Sequence, residues 1–148
     1  MRISDILAEK NRKLVSISPE TSIRRAVALM AAEHVGALVV QDHDGWLLGI
    51  VSEHGIIDGL ARRGGHLLEM SVREIMVSDG PTVSPADTVT AAMRTMTERR
   101  ARHLPVMTET GLVGLISVGD VLKSRLAEKT VENTVLQDIA RMRLAAAG

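Results

Sequence analysis

Two segments of the chain carry apolar residues at the three- and four-residue spacing of a helix that buries one face. The spacing predicts one helix over about residues 20–33 and another over about 86–100. A Ser-Pro pair precedes each segment, and because serine favours the N-cap and proline the first helical position, each pair is predicted to start its helix. These pairs are Ser18-Pro19 and Ser84-Pro85, and the predicted apolar faces are Ile23, Val27 and Met30, and Val89, Met93 and Met96.

After each helix, two apolar segments flank a short polar turn, a pattern typical of a β-hairpin. Proline lies inside the third of these four strands at position 105. Since proline has no N–H, this position indicates an edge strand or a site whose N–H the sheet does not need. The predicted hairpins are 35–41 with 47–51 around Asp44-Gly45, and 103–107 with 112–116 around Thr110-Gly111.

The two halves of the chain repeat one another. The segment Ser16-Ile17-Ser18-Pro19 recurs 66 residues later as Thr82-Val83-Ser84-Pro85, and Gly49-Ile50-Val51-Ser52 recurs 65 residues later as Gly114-Leu115-Ile116-Ser117. The change of offset places one extra residue in the first hairpin turn, where insertions are tolerated. The repeat predicts an α/β (α+β) fold of two pseudo-symmetric β-α-β-β-α units with small mixed sheets, over residues 1–66 and 67–128.

Residues 129–148 belong to neither repeat and are predicted to form a C-terminal helix. An apolar stripe along it needs a cover, for which a second copy of the chain is the first expectation and docking on the same subunit the alternative. The stripe consists of Val131, Val135, Ile139 and Met142.

Composition excludes several classes of function. Eighteen basic residues balance eighteen acidic ones, and one Trp is the sole aromatic side chain, so nucleic-acid binding is disfavoured. Cysteine is absent, which excludes disulfides and thiol chemistry, and no apolar run is long enough to span a membrane. Five dispersed histidines form no metal-ligand spacing, and no hydrolase, nucleotide-loop or metalloprotease motif occurs. We therefore expect a cytoplasmic protein that is not an enzyme.

Ser117 and Asp120 lie where the last predicted strand passes into a helix. Their spacing matches a capping box, which alone accounts for both residue types. The same arrangement suits a phosphorylated sugar, because a helix N-terminus attracts anions and a carboxylate accepts hydrogen bonds from ribose hydroxyls. The two interpretations are compatible.

Both repeats end their hairpin in Gly-hydrophobic-hydrophobic-Ser, and the second contains Arg102-His103-Leu104-Pro105-Val106. Over about residues 1–128 the chain resembles a tandem pair of cystathionine-β-synthase (CBS) domains, like those of small stand-alone bacterial proteins. The resemblance implies a pseudo-symmetric disc that commonly forms a homodimer and binds adenosine-containing ligands, namely AMP, ATP, S-adenosylmethionine or NAD(H). It also implies regulation of a partner enzyme or transporter according to energy or redox state, without catalysis.

Carried over to this chain, the resemblance implies Asp120 as the ribose clamp and Ser117 as a phosphate contact. Thr82 and the segment from His103 through Leu104 to Pro105 would line the adenine, and Arg102 and His103 would meet phosphates. For Leu104, core packing is the alternative. AMP is the first expected ligand, with ATP or NAD(H) next.

The first repeat departs from this pattern. Gly55 stands at the position equivalent to Asp120, and Gly36-Ala37-Leu38-Val39 replaces the segment that begins with Arg102. A second, weaker cleft is expected there, shaped by Ser16, Leu38 and Ser52. A ligand-independent dimeric scaffold is the main alternative function, and a hydrolase of small phosphorylated compounds is the second.

Overall fold

The computed structural model describes residues 1–10 and 14–147 of the chain. The fold is a mixed α+β arrangement of two repeats, as predicted. In chain order its elements are α1 (Ile3–Glu9), β1 (Ser16–Ile17), α2 (Ile23–Glu33), β2 (Ala37–Gln41), β3 (Leu47–Ser52), α3 (Glu53–Arg63), two short 3-10 helices (Gly65–Glu69 and Val72–Glu74), α4 (Val89–Arg99), β4 (His103–Thr108), β5 (Gly111–Ser117) and α5 (Val118–Ala147).

The two helices α2 and α4 begin about three residues later than predicted, so the assignment of Ser18 and Ser84 as N-caps is wrong. In the first repeat, the backbone N–H of Thr21 bonds to the Ser18 carbonyl at 3.1 Å, which closes a turn before the helix. The N-caps are Ser22 and Thr88, whose hydroxyls accept from the backbone N–H three residues ahead at 3.1 Å. Each Ser-Pro pair therefore opens a turn, and the hydroxyl residue four positions after the serine caps the helix.

In each of these two helices, the buried face differs from the prediction at one position. Ala26 and Ala92 are fully buried, whereas Val27 is exposed and Met93 is half-buried. Small residues lie where the helices pack closely against the sheets, because an alanine lets a helix approach its neighbour.

Both predicted hairpins are confirmed. In the first repeat β1 pairs parallel with β2, which pairs antiparallel with β3, and in the second repeat β4 pairs antiparallel with β5. Val83 joins β4 through a single parallel bridge, where its N–H bonds to the Pro105 carbonyl at 3.0 Å and its carbonyl accepts from Met107 N at 2.7 Å. This pattern leaves the missing N–H of Pro105 without consequence, as the sequence predicts.

The segment that leads each repeat packs into the hydrophobic core of the other repeat. Ile3 and Ile6 of α1 pack into the core of the second repeat, and Leu67 and Val72 pack into that of the first. Backbone hydrogen bonds of 2.8–3.0 Å hold both exchanged segments beside the opposite helix start. The boundary predicted between residues 66 and 67 therefore cuts Leu67 away from the core in which it lies.

The C-terminal segment continues an existing helix. The 30 residues of α5 run without interruption from Val118, so the tail predicted over 129–148 is not a separate element. Val121 and Ser124 are buried against the body, but the stripe beyond them is 42–69% exposed. The alternative in which this stripe docks on its own subunit is therefore wrong. The exposed stripe residues are Val131, Val135, Ile139 and Met142.

Candidate functional site

Two clefts lie between the repeats, and each takes its lining from both. The first encloses about 730 Å³ and contains the start of α5, and we call it the Asp120 cleft. The second encloses about 850 Å³ and contains the start of β4, and we call it the Arg102 cleft. Both volumes fall in the range of sites for small organic ligands.

Asp120 is held in a reciprocal capping box at the start of α5. Its Oδ2 accepts from the backbone N–H of Ser117 at 2.8 Å, and its own N–H donates to the Ser117 hydroxyl at 3.1 Å. The structural interpretation of this pair is confirmed. The box also directs the carboxylate into the cleft beside the positive end of a long helix.

Lys10 forms a second contact with this carboxylate. Its ammonium donates to Asp120 Oδ2 and to the Leu115 carbonyl, both at 2.7 Å, and both charged side chains are 24% exposed. Burial alone would raise the pKa of Asp120, but hydrogen bonds from Lys10 and Ser117 and the lysine charge outweigh it and hold the pKa below its ordinary value. Asp120 is therefore a carboxylate at neutral pH.

Part of the lining of the Asp120 cleft comes from the first repeat. It combines His34 and Glu53 with four residues that are apolar or lack a large side chain, and these four suit the face of a flat aromatic ligand. The four residues are Leu14, Val35, Gly36 and Ala37. Lys123 of α5 also lines the cleft.

The Arg102 cleft holds most of the other predicted residues. Thr82, Arg102, His103 and Pro105 line it together with Ser52 from the first repeat. Arginines 99 and 100 at the end of α4 lie in the same cleft, and Asp79 and Glu53 supply acidic groups. The concentration of arginines favours an anionic ligand here.

Glu53 and His103 line both clefts and form the wall between them. A methyl group at Gly36 would lie 2.7 Å from Glu53 Oε1, so a larger residue at position 36 would displace the end of the glutamate side chain. Burial lowers the pKa of His103, and the charges of Lys10 and Arg102 lower it further, against the opposing effect of Glu53 and Asp120. His103 is therefore neutral at neutral pH.

The predicted ligand-binding residues do not share one cleft. Ser117 and Asp120 line the Asp120 cleft, Thr82, Arg102 and Pro105 line the other, and His103 alone lines both. The prediction placed the ligand between the two repeats but took the residues of each cleft from one repeat, whereas each cleft forms between the strand start of one repeat and the helix start of the other.

Four further predicted residues take other places. Leu38 and Leu104 are fully buried core residues, which confirms the core-packing alternative for Leu104. Ser16 lies in β1 and is among the lining residues of neither cleft. Ser52 lines the Arg102 cleft, so it belongs with Thr82 rather than with Leu38.

Lys10 was missed by sequence reasoning. Lys10 is 110 residues from Asp120 in sequence, and only the exchange of α1 into the second repeat brings the two together. Glu53 directly follows the Ser52 cap and lies two positions before Gly55.

The two helix starts are geometrically equivalent. The N–H of Gly55 donates to the Ser52 hydroxyl at 3.1 Å, the same contact and distance as between Asp120 and Ser117. The predicted equivalence of Gly55 and Asp120 is thus confirmed, and position 55 of the helix that opens on the Arg102 cleft carries no carboxylate.

Within residues 1–10 and 14–147, no three His, Asp or Glu side chains form a group that could hold a metal ion. Over the same ranges, no helix combines the length and the hydrophobicity needed to span a bilayer.

Known proteins share both the sequence pattern and the fold. The chain is 37% identical to a CBS-domain protein of Agrobacterium tumefaciens of known crystal structure, over 84% of this chain and 98% of that one, with a TM-score of 0.79. It is 29% identical to a CBS domain protein of Pyrobaculum aerophilum complexed with AMP, over 81% and 89% of the two chains, with a TM-score of 0.72.

An uncharacterized 33.4 kDa protein of Thermofilum pendens is 39% identical over 69% of this chain, and this chain spans about a third of that relative. Residues 3–62 and 72–127 each match the profile of the CBS domain. The two profile matches and the shared fold establish that the chain belongs to the CBS-domain family, as a tandem pair of repeats.

Proposed function

We propose that the chain is a regulatory module that binds an adenosine phosphate in the Asp120 cleft and passes its occupancy to a partner. AMP is the first candidate ligand, and ATP and NAD(H) are the next. The observation that carries the proposal is the ionised Asp120 carboxylate, which the capping box directs into a cleft between the repeats at a helix N-terminus. The regulated partner would be an enzyme or a transporter.

The cleft offers separate surroundings for the three parts of a nucleotide. Ribose hydroxyls would donate to Asp120, and a carboxylate is the strongest acceptor for such a pair of donors. The phosphate would lie at the α5 N-terminus near Ser117 and the ammonium groups of Lys10 and Lys123. The adenine would pack on the apolar wall around Val35 and Ala37.

The comparisons support this assignment at the level of the family. The Pyrobaculum relative carries AMP, and its chain has the same fold at 29% identity. The Asp120 cleft has the volume and the chemistry for the same class of ligand.

Calorimetric titration of the full chain with AMP, ATP and NADH tests the proposal. We expect binding by the wild type and an affinity at least tenfold lower for Asp120→Asn, because a hydrogen bond to a charged group contributes about 1.5–3 kcal/mol. Asp138→Asn is the matched control, since Asp138 is an exposed acid farther along α5. Absence of binding by any of the three ligands, or equal affinity in a folded Asp120→Asn variant, would contradict the proposal.

The Arg102 cleft is proposed as the weaker nucleotide site. It contains three arginines but lacks a carboxylate at Gly55, so a ribose would find no partner equivalent to Asp120 there. We expect a titration to give one tight site per chain and a second that is weak or absent.

We also propose that the chain forms a homodimer through α5. The buried positions Val121 and Ser124 lie on the same helical face as the exposed stripe from Val131 to Met142, so the face that packs on the body continues beyond it. A second copy presents the same stripe, and pairing two such helices would cover both. This stripe is also what favours the alternative of a ligand-independent dimeric scaffold.

Light scattering over micromolar concentrations tests the dimer. Ile139→Lys should yield monomers, whereas Leu144→Lys, which adds the same charge on the opposite face of α5, should leave the dimer intact. A wild-type monomer, or equal effects of the two substitutions, would contradict the assignment of the interface.

A further inference from the structure

We infer that Lys10 makes the Asp120 cleft selective for phosphorylated over unphosphorylated nucleosides. The inference deepens the proposed function and rests on it. It starts from the position of the Lys10 ammonium, which lies inside the cleft at 2.7 Å from the carboxylate assigned to the ribose.

The ammonium and the ribose compete for one carboxylate. Asp120 Oδ2 already accepts from Lys10 and from the Ser117 N–H, so both acceptor positions of this oxygen are used before a ligand arrives. A carboxylate offers about four acceptor positions over two oxygens. A ribose diol that donates one hydroxyl to each oxygen must displace a donor from Oδ2, and this weakens the ion pair with Lys10.

The consequence depends on the charge of the ligand. Lys10 is three-quarters buried, and a buried ammonium that loses its counter-ion is destabilised. An unphosphorylated nucleoside brings no replacement anion, so it binds at the expense of the ion pair. A nucleoside phosphate supplies a new anion at the same end of the cleft, where Lys10 and Lys123 both lie.

Lys10 is well placed to shift between the two anions. Its ammonium has three N–H donors, of which one bonds to the Leu115 carbonyl and one to Asp120. The carbonyl contact can hold the side chain in the cleft while the remaining donors turn to a phosphate. A purely structural role, tying α1 to β5 and α5, would use the same two contacts but would not distinguish the ligands.

Titration calorimetry with AMP and with adenosine separates these roles. For Lys10→Met we expect AMP affinity to fall about tenfold or more and adenosine affinity to rise, because the phosphate loses its cation and the ribose gains an uncontested carboxylate. Lys10→Arg keeps the charge and should preserve the wild-type preference for AMP. Lys123→Met removes a like charge from the same cleft without touching Asp120, so it should lower AMP affinity without raising that of adenosine.

The outcomes are distinct from those that test the proposed function. If the wild type binds neither compound, the proposed function fails. If the wild type binds AMP but Lys10→Met changes the affinities for AMP and adenosine by the same factor, or changes neither, the selectivity assignment is overturned. Should Lys10→Met melt too low to titrate, Lys10→Gln, which keeps a polar donor to the Leu115 carbonyl, is measured in its place with the same criteria.

Discussion

Replacing Asp120 with Ala should both destabilise the fold and remove the proposed ligand contact. The contacts of the side chain give the size of the stability effect. The substitution removes the acceptor of the Ser117 N–H, and loss of such a cap costs about 1 kcal/mol. It also leaves Lys10 without its charged partner, which adds about 1–2 kcal/mol because both side chains are largely buried but the lysine can reach water. The free energy of unfolding should fall by about 2–3 kcal/mol at pH 7.

Asp120→Asn isolates the charge from the cap. The amide oxygen can still accept from the Ser117 N–H, so we expect about half of the alanine effect, measured by urea unfolding. The pKa of Asp120 is lowered in the folded chain from its ordinary value of 3.8, since the bonds from Lys10 and Ser117 outweigh the opposing effect of burial. The stabilisation by the charge is therefore present above about pH 4 and is lost as the pH falls through the folded-state pKa.

The difference between wild type and Asp120→Asn should accordingly be full at neutral pH and disappear on acidification. Ser117→Ala is the companion variant, because it removes the hydroxyl that accepts from Asp120 N and leaves the ion pair to Lys10 in place. Equal stability of wild type and Asp120→Asn at pH 7 would refute the energetic role of the Lys10 pair. A difference that persists unchanged into strong acid would show that it arises from something other than the carboxylate charge.

Three further substitutions follow from the same contacts. Gly55→Asp should strengthen ligand binding in the Arg102 cleft, because it adds a carboxylate at the position equivalent to Asp120. The added Cβ is accommodated, since it meets the Ser52 hydroxyl at an ordinary 3.5 Å, and a titration that still gives one site would contradict the prediction. Leu104→Ala should lower the free energy of unfolding by about 2–5 kcal/mol in urea, since the side chain is fully buried, whereas Leu144→Ala on the exposed helix should change it little. The wild type should lose stability as the pH falls below 6.5, because burial and the charges of its neighbours lower the pKa of the folded His103. His103→Gln should remove this loss, and equal pH profiles of melting temperature for the two proteins would contradict the reasoning.

Local features of the fold were predictable because short-range chemistry determines them. The hairpin turns and the capping box at Ser117 each depend on residues within a few positions of one another. The helix starts were misplaced because Ser-Pro suits both a helix N-terminus and a β-turn. The hydroxyl at Ser22 provides the cap in the first repeat, and the equivalent Thr88 does so in the second.

Contacts between distant segments were not predictable from the local pattern. The exchange of α1 and of the segment around Val72 rests on backbone bonds such as Ile3 N to Asp87 O at 2.9 Å and Val72 N to Thr21 O at 2.8 Å. Nothing in the composition of either segment identifies its partner, since both have the same apolar spacing. Lys10 entered the site only through this exchange, which is why the sequence did not indicate it.

Each cleft takes its walls from both repeats, and this changes the reason why the two clefts should differ. When each cleft is assigned to one repeat, the second repeat holds both the carboxylate and the basic residues, and the first repeat lacks both. In the structure, Asp120 lines one cleft with Val35, Gly36 and Ala37, while Arg102 lines the other, where Gly55 supplies no carboxylate at the position equivalent to Asp120. The carboxylate and the arginines are thus divided between the clefts. We therefore expect the two clefts to differ in the chemistry of their ligand contacts as well as in affinity.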